Sequence, residues 1–421
     1  LEQKCSRGFE SHHFLESLVD KKKYYSWILY DWANSAYATI VLAGFFPIIF
    51  ADYYASQFLE TTRTLVLGIA NSSASLLLIV SAPILGLIAD KKNNRKLFLV
   101  SFGLLGIIST FILSFIGQYN WALASIFFSI SLLGFMLSNV FYDSMLLSFE
   151  NKTSYDSISS YGYAFGYLGG GIAFVLAILF LFINQESTYE LVINKKLVFI
   201  FASVWWLVFM IPMIIFWEDS KTTQVHQPRI LKDTFKYIIN DKKIFYFLLA
   251  YWIYIDGVDT IIRMAVNYGL TLGFTTNNLL LALLVTQFVA FPGTIFTNKI
   301  AQYKNTEFGI LFCLIVYLLI TLLSYNLSTV TEFYFIAVLI GFVQGGIQAL
   351  SRSYYSTLLP EGRDSEFFGI YNMLGKFAAL LGPLVVGYIT YLSGSTRFGI
   401  LSLSIFFLLG IFIFLKHKTI R

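Results

Sequence analysis

YYSWILYDWANSAYATIVLAGFFPIIFADYY, residues 24–54, is the stretch whose reading decides the fold. At about 1.5 Å of rise per residue it can cross a hydrocarbon core of roughly 30 Å as one helix. It is not uniformly apolar. Asp31, Asn34, Ser35, Ala38 and Leu42 recur at i, i+3, i+4, i+7 and i+11, which is one face of a helical wheel. A carboxylate turned to lipid costs roughly 2.5–3.5 kcal/mol even on the lenient insertion scale, so this face is expected to look at protein or water. The segment reads as a helix that lines something.

The rest of the chain is equally greasy. Its 421 residues are 57% hydrophobic and 13% charged, against about 25% charged residues in soluble domains, which makes it a membrane protein throughout. Apolar spans lie at roughly 24–52, 64–89, 97–117, 121–147, 158–183, 197–217, 244–272, 278–300, 308–327, 331–356, 366–392 and 397–416. The expected fold is therefore all-α and polytopic, with about twelve transmembrane helices. Lys21–Lys23, the Lys91–Lys96 region, the middle loop and the end of the chain hold most cations. By the positive-inside rule both termini and that loop are expected in the cytoplasm. The net charge of +5 is spread over these short loops and gives no nucleic-acid signal. Cys5 and Cys313 lie far apart, and His12, His13, His226 and His417 are terminal or in a loop, so neither a disulfide, a metal site nor a cofactor is expected. The start of the chain lacks a signal peptide's short apolar core and cleavage site; the first span is expected to direct insertion.

Glu218–Lys243 is the one long hydrophilic connection, and it divides the spans six and six. The expected layout is a cytoplasmic tail (1–23), a six-helix bundle (24–217), a cytoplasmic linker (218–243), a second six-helix bundle (244–416) and a short tail (417–421). Leu231, Phe235, Ile238 and Ile239 make part of the linker amphipathic, able to lie along a membrane surface. A weak repeat relates the halves: LIADKKN (87–93) to KIAQYKN (299–305), and VFYDSMLLS (140–148) to RSYYSTLLP (352–360), at the same separation. Two parallel six-helix repeats, a pseudo-symmetric pair of bundles, are the layout of the major facilitator fold.

Gly86-Leu-Ile-Ala-Asp90-Lys91-Lys92-Asn93-Asn94-Arg95-Lys96 resembles that superfamily's signature between its second and third helices, with Asn93, which tolerates left-handed backbone, in place of a glycine. The resemblance implies a cytoplasmic latch in which Asp90, Lys91 and Arg95 hold the bundles together in one state and release in the other; the plain alternative is a solvated basic loop. Closer strings are YDWANSAYAT (30–39), FFPIIF (45–50), SNVFYDSMLL (138–147), GYAFGYLGGG (162–171), YIDGVDTI (254–261), GGIQALSRSYYSTLLP (345–360) and EFFGIYNMLGKFAALLGPLVVG (366–387). Together these resemble the vacuole-effluxer family of the major facilitator superfamily, whose fungal members export amino acids from the vacuole. The compact middle loop resembles the bacterial members. The resemblance implies a bacterial secondary transporter in the inner membrane, with an amino acid as its expected cargo.

The residues also speak for themselves. In the seventh span Trp252, Asp256, Asp259 and Arg263 share a face, and leaving both acids and the arginine in lipid would cost on the order of 8–10 kcal/mol. Asp259 and Arg263 are spaced to neutralise each other. Asp256 reads as a protonatable carboxylate, with Asp259 beside it in coupling, or as the partner of Lys376 or of a tyrosine. Trp252 reads as packing or interface anchor as readily as cavity wall. The tenth span aligns Gln344, Gln348 and Arg352. The glutamines can hold both ends of a zwitterion, whereas Arg352 reads as a gate residue paired with Asp364 or Glu366. Asn139, Asp143, Asn372 and Lys376 remain as buried polar groups, lining a cavity or gluing helices. Gly162, Gly166 and Gly170 read as close helix packing.

The expected substrate cavity is thus Asp31, Asn34, Ser35, Asn139, Asp143, Trp252, Asp256, Gln344 and Gln348. The function that fits is alternating-access transport of a small polar solute such as an amino acid, driven by protons since no GxxxxGK[ST] nucleotide motif is present, by a monomer in a lipid bilayer. A peptidoglycan fragment, drug or metabolite is the alternative cargo. An enzyme built on Asp256 and Asp259 fits poorly, because Arg263 would hold one of them ionised.

Overall fold

The computed structural model describes residues 21–149, 154–183, 188–219, 231–360 and 362–419. The tail up to residue 20, residues 220–230 of the linker and the last two residues lie outside them. Twelve helices among the described residues are long and apolar enough to cross a membrane. They are α1 (Lys21–Tyr54), α2 (Glu60–Lys92), α3 (Arg95–Leu113), α4 (Trp121–Ser144), α5 (Tyr155–Ile183), α6 (Thr188–Phe216), α7 (Lys242–Thr271), α8 (Thr276–Tyr303), α9 (Thr306–Tyr325), α10 (Val330–Leu358), α11 (Asp364–Ser393) and α12 (Thr396–His417). A short helix, Leu231–Asn240, precedes α7 and is called the linker helix below. The all-α polytopic expectation is met; α6 begins at Thr188, and its membrane-spanning part, Lys196–Phe216, matches the expected span. In hydrocarbon every backbone N–H must find its acceptor within the protein, which is why apolar spans of this length become helices.

Local sequence sets the helix ends. Asn93 closes α2 in the left-handed conformation at φ 50°. Asp241 caps α7 by accepting from the N–H groups of Lys243 and Ile244, and Thr329 with Glu332 forms a capping box on α10. Helix α1 departs from regular geometry, with wide π turns over Tyr37–Phe45 and Phe50–Tyr54 on either side of Pro47. Pro47 lacks the N–H that would close an ordinary α turn there, and π segments favour functional sites.

Buried apolar side chains form two clusters, one running from Trp27 to Trp217 and the other from Ile238 to Phe414. Between them α2 runs along α11, and α5 along α8 and α10. The α2–α11 seam is closed at one end only. At Gly86 a Cβ would strike the Ser365 carbonyl, and at Gly369 it would meet Ala82 O at 2.7 Å. About five turns away on the same faces, Gly68 and Gly387 have no neighbour within 4 Å of a Cβ. The two helices therefore touch at the end carrying Lys91, Lys92, Lys242, Lys243 and Lys416 (the basic end) and diverge at the other.

Candidate transport site

Three layers of polar contacts close the basic end. The outermost forms because α11 cannot cap itself: Arg363 stands at its N-cap without a capping side-chain bond, leaving the first N–H groups unsatisfied. Asp90, at the end of α2, supplies the missing acceptor across the seam, at 3.1 Å from the Ser365 N–H and 2.9 Å from that of Glu366. A carboxylate there also meets the positive end of the helix dipole. Arg95 lies 3.3 Å from Asp90 and 2.7 Å from Asp364, tying both acids together. Ser365 donates to Ser144 Oγ at 3.0 Å. In the related half of the repeat Gln302 stands where Asp90 does, and it donates to Ser157 near the start of α5 at 2.6 Å. Asp90 and Arg95 thus both bond α11 across the seam. Lys91 does not: it is exposed and makes no bond among the described residues. Asp90→Ala removes a cap worth about 0.5–2 kcal/mol. The expected result is several-fold faster alkylation, from the basic end, of a cysteine placed at Ser144, with the chain still folded.

The middle layer centres on Arg352, which is 1% exposed. Its Nη1 lies 2.9 Å from Asp143 Oδ1, its Nε donates to Ser159 Oγ at 2.9 Å, and its Nη2 donates to the Ser159 carbonyl at 3.0 Å. The guanidinium sits over the rings of Tyr163, Trp27 and Tyr142 at 4.3, 4.9 and 5.3 Å. The second oxygen of Asp143 accepts from Asn372 at 3.1 Å. Asp156, nearby on α5, accepts from Ser353 on α10 and, at 2.6 Å, from Thr306 on α9. This corrects the expected pairing of Arg352 with Asp364 or Glu366. Asp364 is held by Arg95, and Glu366 by Arg363 at 3.1 Å and by Thr234 of the linker helix. Asp143 is correspondingly the anchor of an ion pair between α4 and α10, and Asn372 is its second donor.

The innermost layer is a single bridge, the Tyr167 hydroxyl donating to Gln348 Oε1 at 2.8 Å, with Gln344 beside it. Gln344 is buried, and its Oε1 has no partner among the described residues. Beside these layers, on α1, Asp31, Ser35 and Ala38 are part-exposed, while Trp27, Tyr30, Ala33 and Tyr37 on the other faces are fully buried. Asp31 and Ser35 are thus the part of the polar stripe that stays accessible. Asp31 lies within electrostatic range of Arg352 and Asp143 and accepts from the Tyr142 hydroxyl at 3.4 Å. Gly166 admits Asp31 and Ser35 at 3.0 Å from a notional Cβ, and Gly162 and Gly170 likewise bring α5 against Trp27 and Thr39. Asn34 is different: it is buried and donates to Asn139 at 2.6 Å, joining α1 to α4.

The α7 face divides. Asp256 is 1% exposed and accepts from the Gly382 N–H at 2.8 Å and from Thr260 at 3.4 Å, so it faces α11 and not the opening. Neither Lys376 nor a tyrosine is its partner. Asp259 is part-exposed and lies within electrostatic range of Lys376; Arg263 is exposed, and no ion pair joins it to Asp259 among the described residues. Trp252 belongs elsewhere, in an apolar groove under the linker helix with Phe235, Ile238 and Met373. A helical wheel groups Trp252 with Asp256 but cannot say which neighbour each one meets. Ser159, Tyr163, Tyr167, Asp156 and Trp27 are not singled out by the sequence for the same reason, since only tertiary contact brings them against α10.

Three kinds of similarity agree with this architecture. The family described as "Vacuole effluxer Atg22 like" matches over residues 59–419. YxiO, an MFS-type transporter of Bacillus subtilis, is 36% identical over 405 residues, covering 94% of this chain and 95% of that one. Autophagy-related protein 22 of Kluyveromyces lactis is 23% identical over 371 residues, covering 78% and 74% of the two chains. Among solved structures, the human organic anion transporter MFSD10 superposes with a TM-score of 0.77 at 12% identity over 94% of this chain and 99% of that one. FucP, a major facilitator transporter in the outward conformation, gives 0.70 at 12% identity over 94% and 98%.

Proposed function

The chain belongs to the vacuole effluxer Atg22-like family and has the major facilitator fold, and from that premise we propose that it moves a small polar solute, an amino acid, by proton-coupled alternating access. That it is a multi-pass membrane transporter and not an enzyme follows from the family; cargo, coupling and orientation are the added reading. One observation carries it: the buried Asp143–Arg352 ion pair joins the two clusters at the basic end, with the part-exposed Asp31 within electrostatic range of it. In this reading such an arrangement is the floor of a site reachable from one side, which is what one half of an alternating-access cycle requires.

In this reading the two clusters are the expected bundles, 24–217 and 244–416, and they rock about the closed seam. The basic end is cytoplasmic, the membrane is a bacterial inner membrane, and the unit is a monomer. Asp31, Ser35 and Gln348, with Gln344 behind them, contact the solute, Asp31 taking an ammonium group and the amides a carboxylate. Lys376 balances Asp259 across α7 and α11. The proton reaches Asp256 through Asp259 one turn away. Asp256 has no ion-pair partner among the described residues, and an intramembrane carboxylate without one is a natural proton carrier.

Counterflow and gradient-driven uptake in proteoliposomes, run with a panel of labelled amino acids, test the proposal. Uptake that is stimulated by an imposed pH gradient supports it; no response to any amino acid overturns the cargo, and a gradient-independent rate overturns the coupling. Asp256→Asn keeps an acceptor for the Gly382 N–H, so the fold is retained. It is expected to lose gradient-driven accumulation at least ten-fold while preserving counterflow. Accumulation at the wild-type level would remove Asp256 from the proton path.

A further inference from the structure

A groove of about 190 Å³ opens between the linker helix, the first turns of α7 and α11. Phe235, Ile238 and Ile239 form one wall, Leu248 and Trp252 the floor, and Met373 the far side. We propose that this groove binds an anionic phospholipid, with an acyl chain between the linker helix and α7–α11 and the headgroup on Lys232 and Lys236.

Two independent features of the linker helix lead there. Its inner face is fastened to the gate: Thr234 is fully buried and bonds Glu366, Arg363 donates to Thr234 at 2.5 Å, and Tyr237 packs edge-on against Phe367. Its outer face carries Lys232, Phe235, Lys236 and Ile239 at i, i+3, i+4 and i+7, all exposed, with Ile239 at 64%. A mixed cationic and apolar face is unsuited to water alone and unsuited to the hydrocarbon core. It fits the headgroup boundary, where lysine stems lie along acyl chains and their ammonium groups reach phosphate.

The groove supplies what a simple surface helix lacks, a slot for one chain beside that cationic edge. Phe245, at its mouth, is 38% exposed, so the slot is open towards the bilayer. The indole N–H of Trp252 is buried and has no partner among the described residues, which leaves a donor free for an ester carbonyl. Apolar walls next to paired cations complement the two ends of an anionic phospholipid. A lipid seated there would brace the linker helix on the start of α11, the segment that Asp90 caps from the other cluster.

Trp252 makes the site measurable. The full chain is reconstituted in phosphatidylcholine containing increasing fractions of phosphatidylglycerol brominated in its acyl chains, and the quenching that disappears in Trp252→Phe is taken as the signal. Brominated phosphatidylcholine in the same background is the comparison. The expected result is half-maximal Trp252 quenching at a fraction of the anionic lipid up to about thirty-fold lower than that of the zwitterionic one. Each lysine near an anionic surface contributes about a five-fold preference, so Lys232→Ala with Lys236→Ala should weaken it by up to about thirty-fold. These are exposed positions whose replacement leaves the fold intact. Equal quenching by both lipids, or quenching unchanged in the double variant, overturns the headgroup site. Absence of any Trp252-dependent quenching overturns the groove itself as a lipid slot.

Discussion

Arg352→Ala is expected to abolish net transport and to leave the basic end predominantly open. The guanidinium is buried with one ion pair, two further hydrogen bonds to Ser159 and three aromatic rings around it. Truncating it removes those contacts and strands the Asp143 carboxylate, whose remaining donor is Asn372. Removing one member of a buried pair costs about 3–5 kcal/mol, because an uncompensated charge stays behind. Since the pair spans α4 and α10, that cost falls on the closed state and is relieved when the bundles separate and water enters. The measurement is the alkylation rate, from the basic end, of a cysteine at Ser144 in a chain lacking Cys5 and Cys313. A rise of two orders of magnitude or more is expected. The double variant Arg352→Ala, Asp143→Asn should alkylate more slowly than Arg352→Ala alone, since it no longer buries an unpaired charge. Arg352→Lys should fall between, keeping the charge without the planar fork that reaches Asp143 and Ser159 together. An unchanged alkylation rate in Arg352→Ala would show that the pair does not hold the gate.

The parts legible in the sequence are those where solvent physics acts residue by residue. The cost of a carboxylate in lipid keeps Asp31 and Ser35 on a part-exposed face of α1, though Asn34 of the same stripe is buried against Asn139. Asparagine's left-handed tolerance let Asn93 stand for the motif's glycine, and it adopts φ 50° where α2 ends, a little beyond the expected limit of 89. What resisted reading is partner choice. For Arg352 the acids expected as partners are Asp364 and Glu366, yet its partner is Asp143 in the other repeat, because α11 presents those two acids to Arg95 and Arg363 instead. Asp256 looked like a cavity carboxylate because periodicity reports a face and not its neighbour; that neighbour is the α11 backbone at Gly382. The π turns of α1 leave no mark on hydropathy, so only the course of the backbone reveals them.

Gly86→Val is expected to shift the same equilibrium without touching a charge. The Cα of Gly86 faces the turn that opens α11, and an added Cβ would strike the Ser365 carbonyl and stand 3.0 Å from Glu366 Cα. These are backbone atoms, fixed in turn by the Asp90 cap, so no side-chain rotation relieves the contact. Overpacking of this kind costs about 1–3 kcal/mol, and here the cost applies only while α2 and α11 touch. Separation of the bundles removes it, giving an expected five- to 150-fold shift towards the state open at the basic end. Gly68→Val is the matched control: it lies on the same face of α2, where nothing stands within 4 Å, and should leave the equilibrium unchanged. Alkylation at the Ser144 cysteine should therefore accelerate in Gly86→Val and stay at the parent rate in Gly68→Val. Equal rates in the two variants would mean that the α2–α11 contact is not broken during the cycle, and the rocking axis would have to lie elsewhere.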